Sequence, residues 1–392
     1  MTQLAECMGR LGTETAFEVL QRARQMEAKG RSMIHLEIGE PDFDTPAHIV
    51  EAAVAALRRG ETHYTPAAGI PPLRQAIAKY ISDTRGIAVD EDQVVVVPGG
   101  KPIIFYTIMG LCQAGDEVIY PNPGFPIYES MINFVGATPV PIPLRMEKGF
   151  SFDLDEFRSL LSPRTKLVIL NSPQNPTGGI LSADELRALA AMVQETDAVV
   201  LSDEIYSRIL YEGEFASIAS VPGMASRTII LDGFSKTYAM TGWRLGYGVM
   251  PRELAPHMTR LMVNSNSCSA AFTQHAAVAA LEGDQSAAEE MVKAFAQRRD
   301  VVVRGLADIP GFRCACPKGA FYAFPNIAET GLSAREMQDY LLEKAGVATL
   351  AGTSFGKYGE GFIRLSYANS VENLQEALRR IRTAVEALPG RA

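Results

Sequence analysis

One lysine, Lys236, stands in the segment Phe234-Ser235-Lys236-Thr237-Tyr238-Ala239-Met240-Thr241-Gly242-Trp243-Arg244. An apolar approach (Leu231-Asp232-Gly233-Phe234) precedes it, and an arginine follows eight residues on. Burial and a nearby cation both disfavour an ammonium, so a lysine placed this way loses its proton more readily than a surface lysine. A neutral amine is the nucleophile that forms a Schiff base with a carbonyl compound. Ser235 adds a hydroxyl and Arg244 a bidentate fork, both suited to a phosphate. The ordinary alternative is a solvated lysine and an arginine paired with a surface carboxylate. The rest of the chain decides between the two.

Asp203, in Ser202-Asp203-Glu204-Ile205-Tyr206, closes an apolar run. A carboxylate buried there is costly unless it is paired. A pyridinium N–H would pair it, and the protonated ring would be a better electron sink. Tyr206 offers a hydroxyl to the ring's phenolate oxygen. Asn175 lies in Asn171-Ser172-Pro173-Gln174-Asn175-Pro176-Thr177-Gly178-Gly179, a loop held irregular by two prolines and two glycines, and its amide could donate to the same oxygen. Pro98-Gly99-Gly100-Lys101 opens a helical pattern, and glycines at a helix start expose N–H groups to a phosphate. Phe125, in Tyr120-Pro121-Asn122-Pro123-Gly124-Phe125-Pro126, could stack on a flat ring. Arg364, in Ile363-Arg364-Leu365-Ser366-Tyr367, has no acid beside it, so a substrate carboxylate is a fitting partner. Each has a plainer explanation: a helix-capping aspartate, a turn asparagine, a tight glycine turn, a core phenylalanine. Independent turns are unsuited to supplying every contact of one ligand, and pyridoxal phosphate needs all of these.

The elements that must position these groups are short apolar runs alternating with helical patterns. The runs are 94–97, 118–120, 167–170, 198–201, 228–231 and 245–250. They are rich in Val, Ile and Leu on both faces, as strands of a covered parallel sheet are. Ser182-Ala183-Asp184-Glu185 fits a capping box, and Asp153-Leu154-Asp155-Glu156 a weaker version of one. This alternation predicts a doubly wound α/β unit with a mostly parallel sheet flanked by helices, and ligands bind beyond the carboxyl ends of such strands. After about residue 281 the style changes to α+β: a charged helix over 285–307, strands near 319–324 and 361–366, a capping box at Ser333 and a final helix from Val371. The expected division is a large domain over 46–284 and a smaller one formed by 285–392 with the segment 1–45.

With 392 residues, 47% hydrophobic and 21% charged, the chain reads as an ordinary globular protein with a large core. A net charge of −8 argues against nucleic acid or an anionic membrane as a partner. The five cysteines are scattered, with no Cys/His cluster, so reduced thiols are expected and a zinc site is not. The first ten residues lack an apolar signal region, and a cytoplasmic location is expected.

Taken together, the chain resembles the class I/II aminotransferases of fold type I, and within them the bacterial aspartate/aromatic branch. The resemblance is carried by Gly39-Glu40-Pro41-Asp42-Phe43, Tyr64-Thr65-Pro66-Ala67-Ala68-Gly69-Ile70, Gly99-Gly100-Lys101, Asn175-Pro176-Thr177-Gly178, Ser202-Asp203-Glu204-Ile205-Tyr206, Ser235-Lys236 and Arg364-Leu365-Ser366. It implies that Lys236 carries the cofactor and moves the substrate proton. Asp203 would meet the pyridine nitrogen, Asn175 and Tyr206 the phenolate oxygen, and Phe125 the ring face. Ser235, Arg244 and the backbone of Gly100 and Lys101 would hold the phosphate. Tyr64 would reach the cofactor of the neighbouring subunit, which implies a homodimer. Arg364, Asn175 and the backbone of Gly39 would bind the α-carboxylate.

For the side chain, the resemblance gives Lys101 a distal carboxylate and so favours aspartate, glutamate and 2-oxoglutarate. Glu14, in Leu11-Gly12-Thr13-Glu14-Thr15-Ala16-Phe17, departs from that pattern: it would repel a second carboxylate or welcome a basic side chain. Aromatic substrates are a further option. A β-eliminating C–S lyase on the same scaffold is the chief alternative, because the electron sink is shared. A transcriptional sensor would need a DNA-binding domain ahead of Gly39, and an NAD-dependent oxidoreductase a Gly-x-Gly-x-x-Gly loop; neither pattern is expected here.

Overall fold

A computed structural model describes residues 2–388. Met1 and residues 389–392, the tips of the segments 1–45 and 285–392, lie outside them. In chain order the strands are β1 (Ile34–His35), β2 (Val94–Val97), β3 (Glu117–Asn122), β4 (Thr138–Pro143), β5 (Thr165–Asn171), β6 (Val199–Asp203), β7 (Thr228–Gly233), β8 (Gly246–Val249), β9 (Tyr322–Ala323), β10 (Val347–Ala348), β11 (Leu350–Ala351) and β12 (Ile363–Ser366). Seven of them form the main sheet in the order β2-β8-β7-β6-β5-β3-β4.

Burial on both faces explains the continuous apolar runs. Val95 and Val97 face one core with Ile103, Ile104 and Met258, while Val94 and Val96 face another with Leu73, Ile77 and Ala276. Successive strand residues point to opposite sides, so helices on both sides demand apolar residues at every position. Helix starts follow the side-chain signals. Ser182 and Glu185 form a reciprocal capping box, as do Ser333 and Glu336. Asp153 caps its helix through one carboxylate that accepts from the N–H groups of Asp155 and Glu156.

Two features depart from the sequence expectation. β4, Thr-Pro-Val-Pro-Ile-Pro, carries no strand signal, because proline removes ladder donors. Its prolines recur at every second position, so the missing N–H groups fall on one side, and β4 is an edge strand where that side needs no donor. β8 pairs antiparallel with both β7 and β2, whereas β3, β4, β5, β6 and β7 run parallel. Its amino end therefore lies at the edge where the parallel strands have their carboxyl ends, and that brings Arg244 to the site.

The later part of the chain builds a three-stranded antiparallel sheet, β11-β12-β9, shorter than the strands expected over 319–324 and 361–366. The helices Ser286–Ala307 and Val371–Glu386 pack Phe295, Leu306, Leu374 and Ile381 against it. The N-terminal segment joins this region through β1, which pairs in parallel with β10. Among the described residues no helix is long and apolar enough to cross a membrane.

Candidate active site

A cavity of about 490 Å³ opens along the carboxyl edge of the main sheet and is closed from the far side by residues of the N-terminal segment, β9 and β12. Lys236, Asp203, Tyr206, Asn175, Phe125, Gly100, Lys101, Ser235, Arg244, Arg364 and Gly39 all line it. Tyr64 does not; its side chain stands 89% exposed on the surface of the single chain.

Strand register explains the convergence. Asn171, Asp203 and Leu231 are lateral neighbours at the ends of β5, β6 and β7. The segments that leave those ends carry Asn175, Tyr206 and Lys236. Lys236 Nζ donates to the Gly39 carbonyl at 2.6 Å. Burial pushes its ammonium down to about 8, Arg364 and Arg244 add to that effect, and Glu40 opposes it. The amine is thus poised near neutrality, as the sequence context implies. Gly39 has no room for a side chain, since a Cβ there would lie 2.1 Å from the Tyr322 hydroxyl.

Asp203 is 5% exposed and forms no ion pair among the described residues. Tyr128 donates to its Oδ2 at 2.6 Å and the Ile205 N–H to its Oδ1 at 3.3 Å. Burial raises its carboxyl to about 6, against the pull of the Tyr128 hydrogen bond. No helix follows it: residues 205–208 form a turn, so capping is not what Asp203 does. A buried acid held by one hydroxyl still lacks a cationic donor.

Arg364 is the complementary case. It is 4% exposed and forms no ion pair among the described residues. One NH donates to Asn175 Oδ1 at 3.0 Å and another to the Glu37 carbonyl, while Nε is buried without an acceptor. Its guanidinium lies 4.5 Å from the Tyr322 ring centroid and 4.8 Å from that of Phe355. Two aromatic faces fix its plane and leave an edge for an anion.

The third charged corner is built from the turn after β2. Gly100 and Lys101 start the helix Lys101–Leu111, with Ser235 and Arg244 beside them on the cavity wall. Gly99 has φ +84°, and a Cβ on it would meet Arg244 at 2.3 Å. Arg244 itself takes a left-handed backbone (φ 54°), rare for a residue with a side chain and often found at functional sites. It donates to the Thr241 carbonyl at 2.7 Å and has no carboxylate partner among the described residues. A helix N-terminus, a hydroxyl and an arginine with no acid partner among the described residues are the kinds of group that suit an anion.

Several contributors are invisible in the sequence. Tyr128 reaches Asp203 from the helix Ile127–Val135, and is tied to Phe125 by T-shaped ring packing (centroids 5.8 Å apart) and by its N–H, which donates to the Phe125 carbonyl at 3.1 Å. Tyr322, from β9, shares a hydrogen bond of 2.7 Å with the Tyr206 hydroxyl. Asn171 receives the Asn175 N–H at 3.0 Å and donates to the Asp203 carbonyl at 3.1 Å, tying the loop to β6. Glu14 and Lys101, both singled out in the sequence, pair with each other, which the sequence does not show.

Known proteins place these features. Residues 31–381 match the family described as aminotransferase class I and II. The chain is 42% identical over 373 residues to an aspartate aminotransferase of Pyrococcus horikoshii, covering 94% of each chain. It is also 42% identical over 377 residues to the arginine–pyruvate transaminase of Pseudomonas aeruginosa, covering 96% of each. Among solved structures, the aspartate aminotransferase of Thermus thermophilus with maleate superposes with a TM-score of 0.94 at 36% identity, over 98% of this chain and all of that one. With the family matched along nearly its whole length, this chain belongs to the class I and II aminotransferases and is a transaminase.

Proposed function

We propose that the cavity holds pyridoxal 5'-phosphate, anchored by Lys236, and that it exchanges the amino group of an L-amino acid with a 2-oxo acid. The observation that carries this reading is the pair of buried charges, Asp203 and Arg364, that face one cavity with Lys236 and have no protein counter-ion among the described residues. Those charges fit the cofactor's ring nitrogen and a substrate carboxylate. When bound, the cofactor supplies an electron sink for the pair left on the substrate's Cα. Lys236 would take the Cα proton as general base once its amine is free, and would deliver it to the cofactor's C4′ carbon, so that the amino group stays with the cofactor. The Gly39 carbonyl keeps that amine aimed into the cavity. Asp203 holds the ring nitrogen's proton, with Tyr128 keeping the carboxylate in place. Asn175 accepts from Arg364 through Oδ1, which leaves its Nδ2 to donate. Tyr206 is held by Tyr322. Ser235, Arg244 and the backbone N–H groups of Gly100 and Lys101 take the phosphate, since Pro102 has no N–H and that of Ile103 donates to the Gly100 carbonyl.

Arg364→Met tests the carboxylate assignment. A hydrogen bond to a charged group contributes about 1.5–3 kcal/mol, so KM should rise about 10- to 100-fold for every amino acid and 2-oxo acid, with a smaller change in kcat. A loss confined to one class of side chain would mean that Arg364 reads side chains instead.

The same reading gives Tyr64 a role in trans. Its exposure and its distance from the cavity of its own chain suit a residue that completes the site of a second copy in a homodimer. Tyr64→Phe should weaken cofactor retention about tenfold. Subunits carrying Tyr64→Phe, mixed with subunits carrying Lys236→Ala, should regain tight retention at the site that keeps Lys236. Mixing without recovery would place Tyr64 outside the partner's site. The five free thiols suit a reducing compartment such as the cytoplasm.

The names of the relatives cover aspartate and arginine as substrates, which agree at the α-carboxylate and differ at the side chain. Nothing in those names favours a lyase.

A further inference from the structure

We propose that Glu14 selects amino acids with a cationic side chain, arginine foremost, as amino donors. This rests on the reading that Arg364 binds the α-carboxylate, and it assigns the other end of the same substrate.

Glu14 and Arg364 line one cavity and carry opposite charges. An amino acid with a terminal cation carries the reverse pattern, a carboxylate at one end and a positive charge at the other. Glu14 is the fixed member of the Glu14–Lys101 pair: its side chain is 19% exposed against 44% for Lys101. The backbone around it is tied down on both sides, by the Gly12 N–H to Ser130 Oγ at 2.9 Å and by Thr15 Oγ1 to Ser354 Oγ at 2.7 Å. Lys101 sits on a flexible stem whose ammonium lies 5.5 Å from the Phe125 ring centroid. A cation therefore already occupies the place over Phe125 and beside Glu14.

Two incoming side chains fare differently there. A distal carboxylate must draw Lys101 away from Glu14 and then lie beside a fixed carboxylate of like charge, which costs free energy in a partly buried site. A guanidinium displaces the Lys101 ammonium, which moves into water along its own exposed stem. It then meets Glu14 through a planar fork, a contact that an ammonium point charge makes less well.

Half-reactions of the holoenzyme with L-arginine, L-lysine, L-aspartate and L-phenylalanine, followed by loss of the cofactor's absorbance, test this. Arginine should exceed aspartate in kcat/KM by about tenfold or more. Glu14→Gln should lower the arginine-to-aspartate ratio by a similar factor, and Lys101→Met, which frees Glu14, should raise it. Calorimetry gives a readout without turnover: 5-guanidinopentanoate, which has no amino group to react, should bind the wild type about tenfold more tightly than Glu14→Gln. Aspartate equal to or better than arginine, or binding of the guanidino acid that ignores Glu14, would overturn the proposal. If no amino acid reacts, the reading of Lys236 and Arg364 fails, and the calorimetric comparison still decides the role of Glu14.

Discussion

Lys236→Ala should abolish transamination, lowering the rate by about 10⁴-fold or more, since under the proposed function one residue serves as both nucleophile and general base. The loss should occur without unfolding, because the Lys236 side chain makes a single hydrogen bond among the described residues, to the Gly39 carbonyl. Borohydride should fix the cofactor covalently to the wild-type chain at Lys236, as read by peptide mass, and leave the variant unlabelled. Substantial turnover by Lys236→Ala would remove Lys236 from the chemistry. The wild type carries a linked pH signature. The buried amine titrates at about 8, against 10.5 for a solvated lysine. Below that pH it is an ammonium and cannot attack a carbonyl. The rate at which the apoprotein takes up pyridoxal phosphate should therefore rise with pH, by about tenfold per unit, and level off above about 8. A rise that continues to 10.5 would mean that the amine is not desolvated.

Arg85→Ala destabilises the fold by about 3–5 kcal/mol, because it leaves two buried carboxylates without their cation. Arg85, at the end of the helix Pro71–Arg85, donates through Nε to Glu204 at 2.9 Å and through NH2 to Asp232 at 3.0 Å. All three side chains are at most 3% exposed. Ser202 Oγ donates to Glu204 at 2.8 Å, Ser217 Oγ adds a second donor, and the Gly233 N–H donates to Asp232 at 2.7 Å. Glu204 adjoins Asp203, and Asp232 precedes Ser235 by three residues, so the network clamps the two strand ends that carry the chemistry. Urea denaturation of the apoprotein reads the loss. The triple variant Arg85→Met, Glu204→Gln, Asp232→Asn should recover much of it, since no buried charge is then left unpaired. A loss below about 1 kcal/mol in Arg85→Ala would show that water reaches the acids.

Much of the main sheet is legible from composition, because strands covered on both faces admit only apolar residues. Val94–Val97 is the clearest case. β4 is hidden for the opposite reason: its prolines are tolerable only at an edge, and a strand's place in a sheet is not a local property. The direction of β8 is equally non-local. The Ser182 and Ser333 capping boxes are readable because a cap involves residues three apart.

Lys236, Asp203, Asn175, Ser235 and the Gly99-Gly100 turn are visible in the chain because each lies next to its own strand end, where an open α/β sheet binds its ligands. Tyr128 and Tyr322 are silent, since their partners Asp203 and Tyr206 lie far away in sequence, and so is the bond from Asn171 to the Asp203 carbonyl. The types of charged group at the site are thus determined by the amino-acid sequence, but a transaminase and a lyase would share them, and it is the likeness to known aminotransferases that separates the two. Which charges neutralise each other is decided only when the chain folds. Arg85 is joined to Glu204 and Asp232, and Lys101 to Glu14, whereas Asp203 and Arg364 are left for a ligand. Ion pairing depends on distances of a few ångströms between residues tens to hundreds of positions apart, and only the tertiary structure sets those distances.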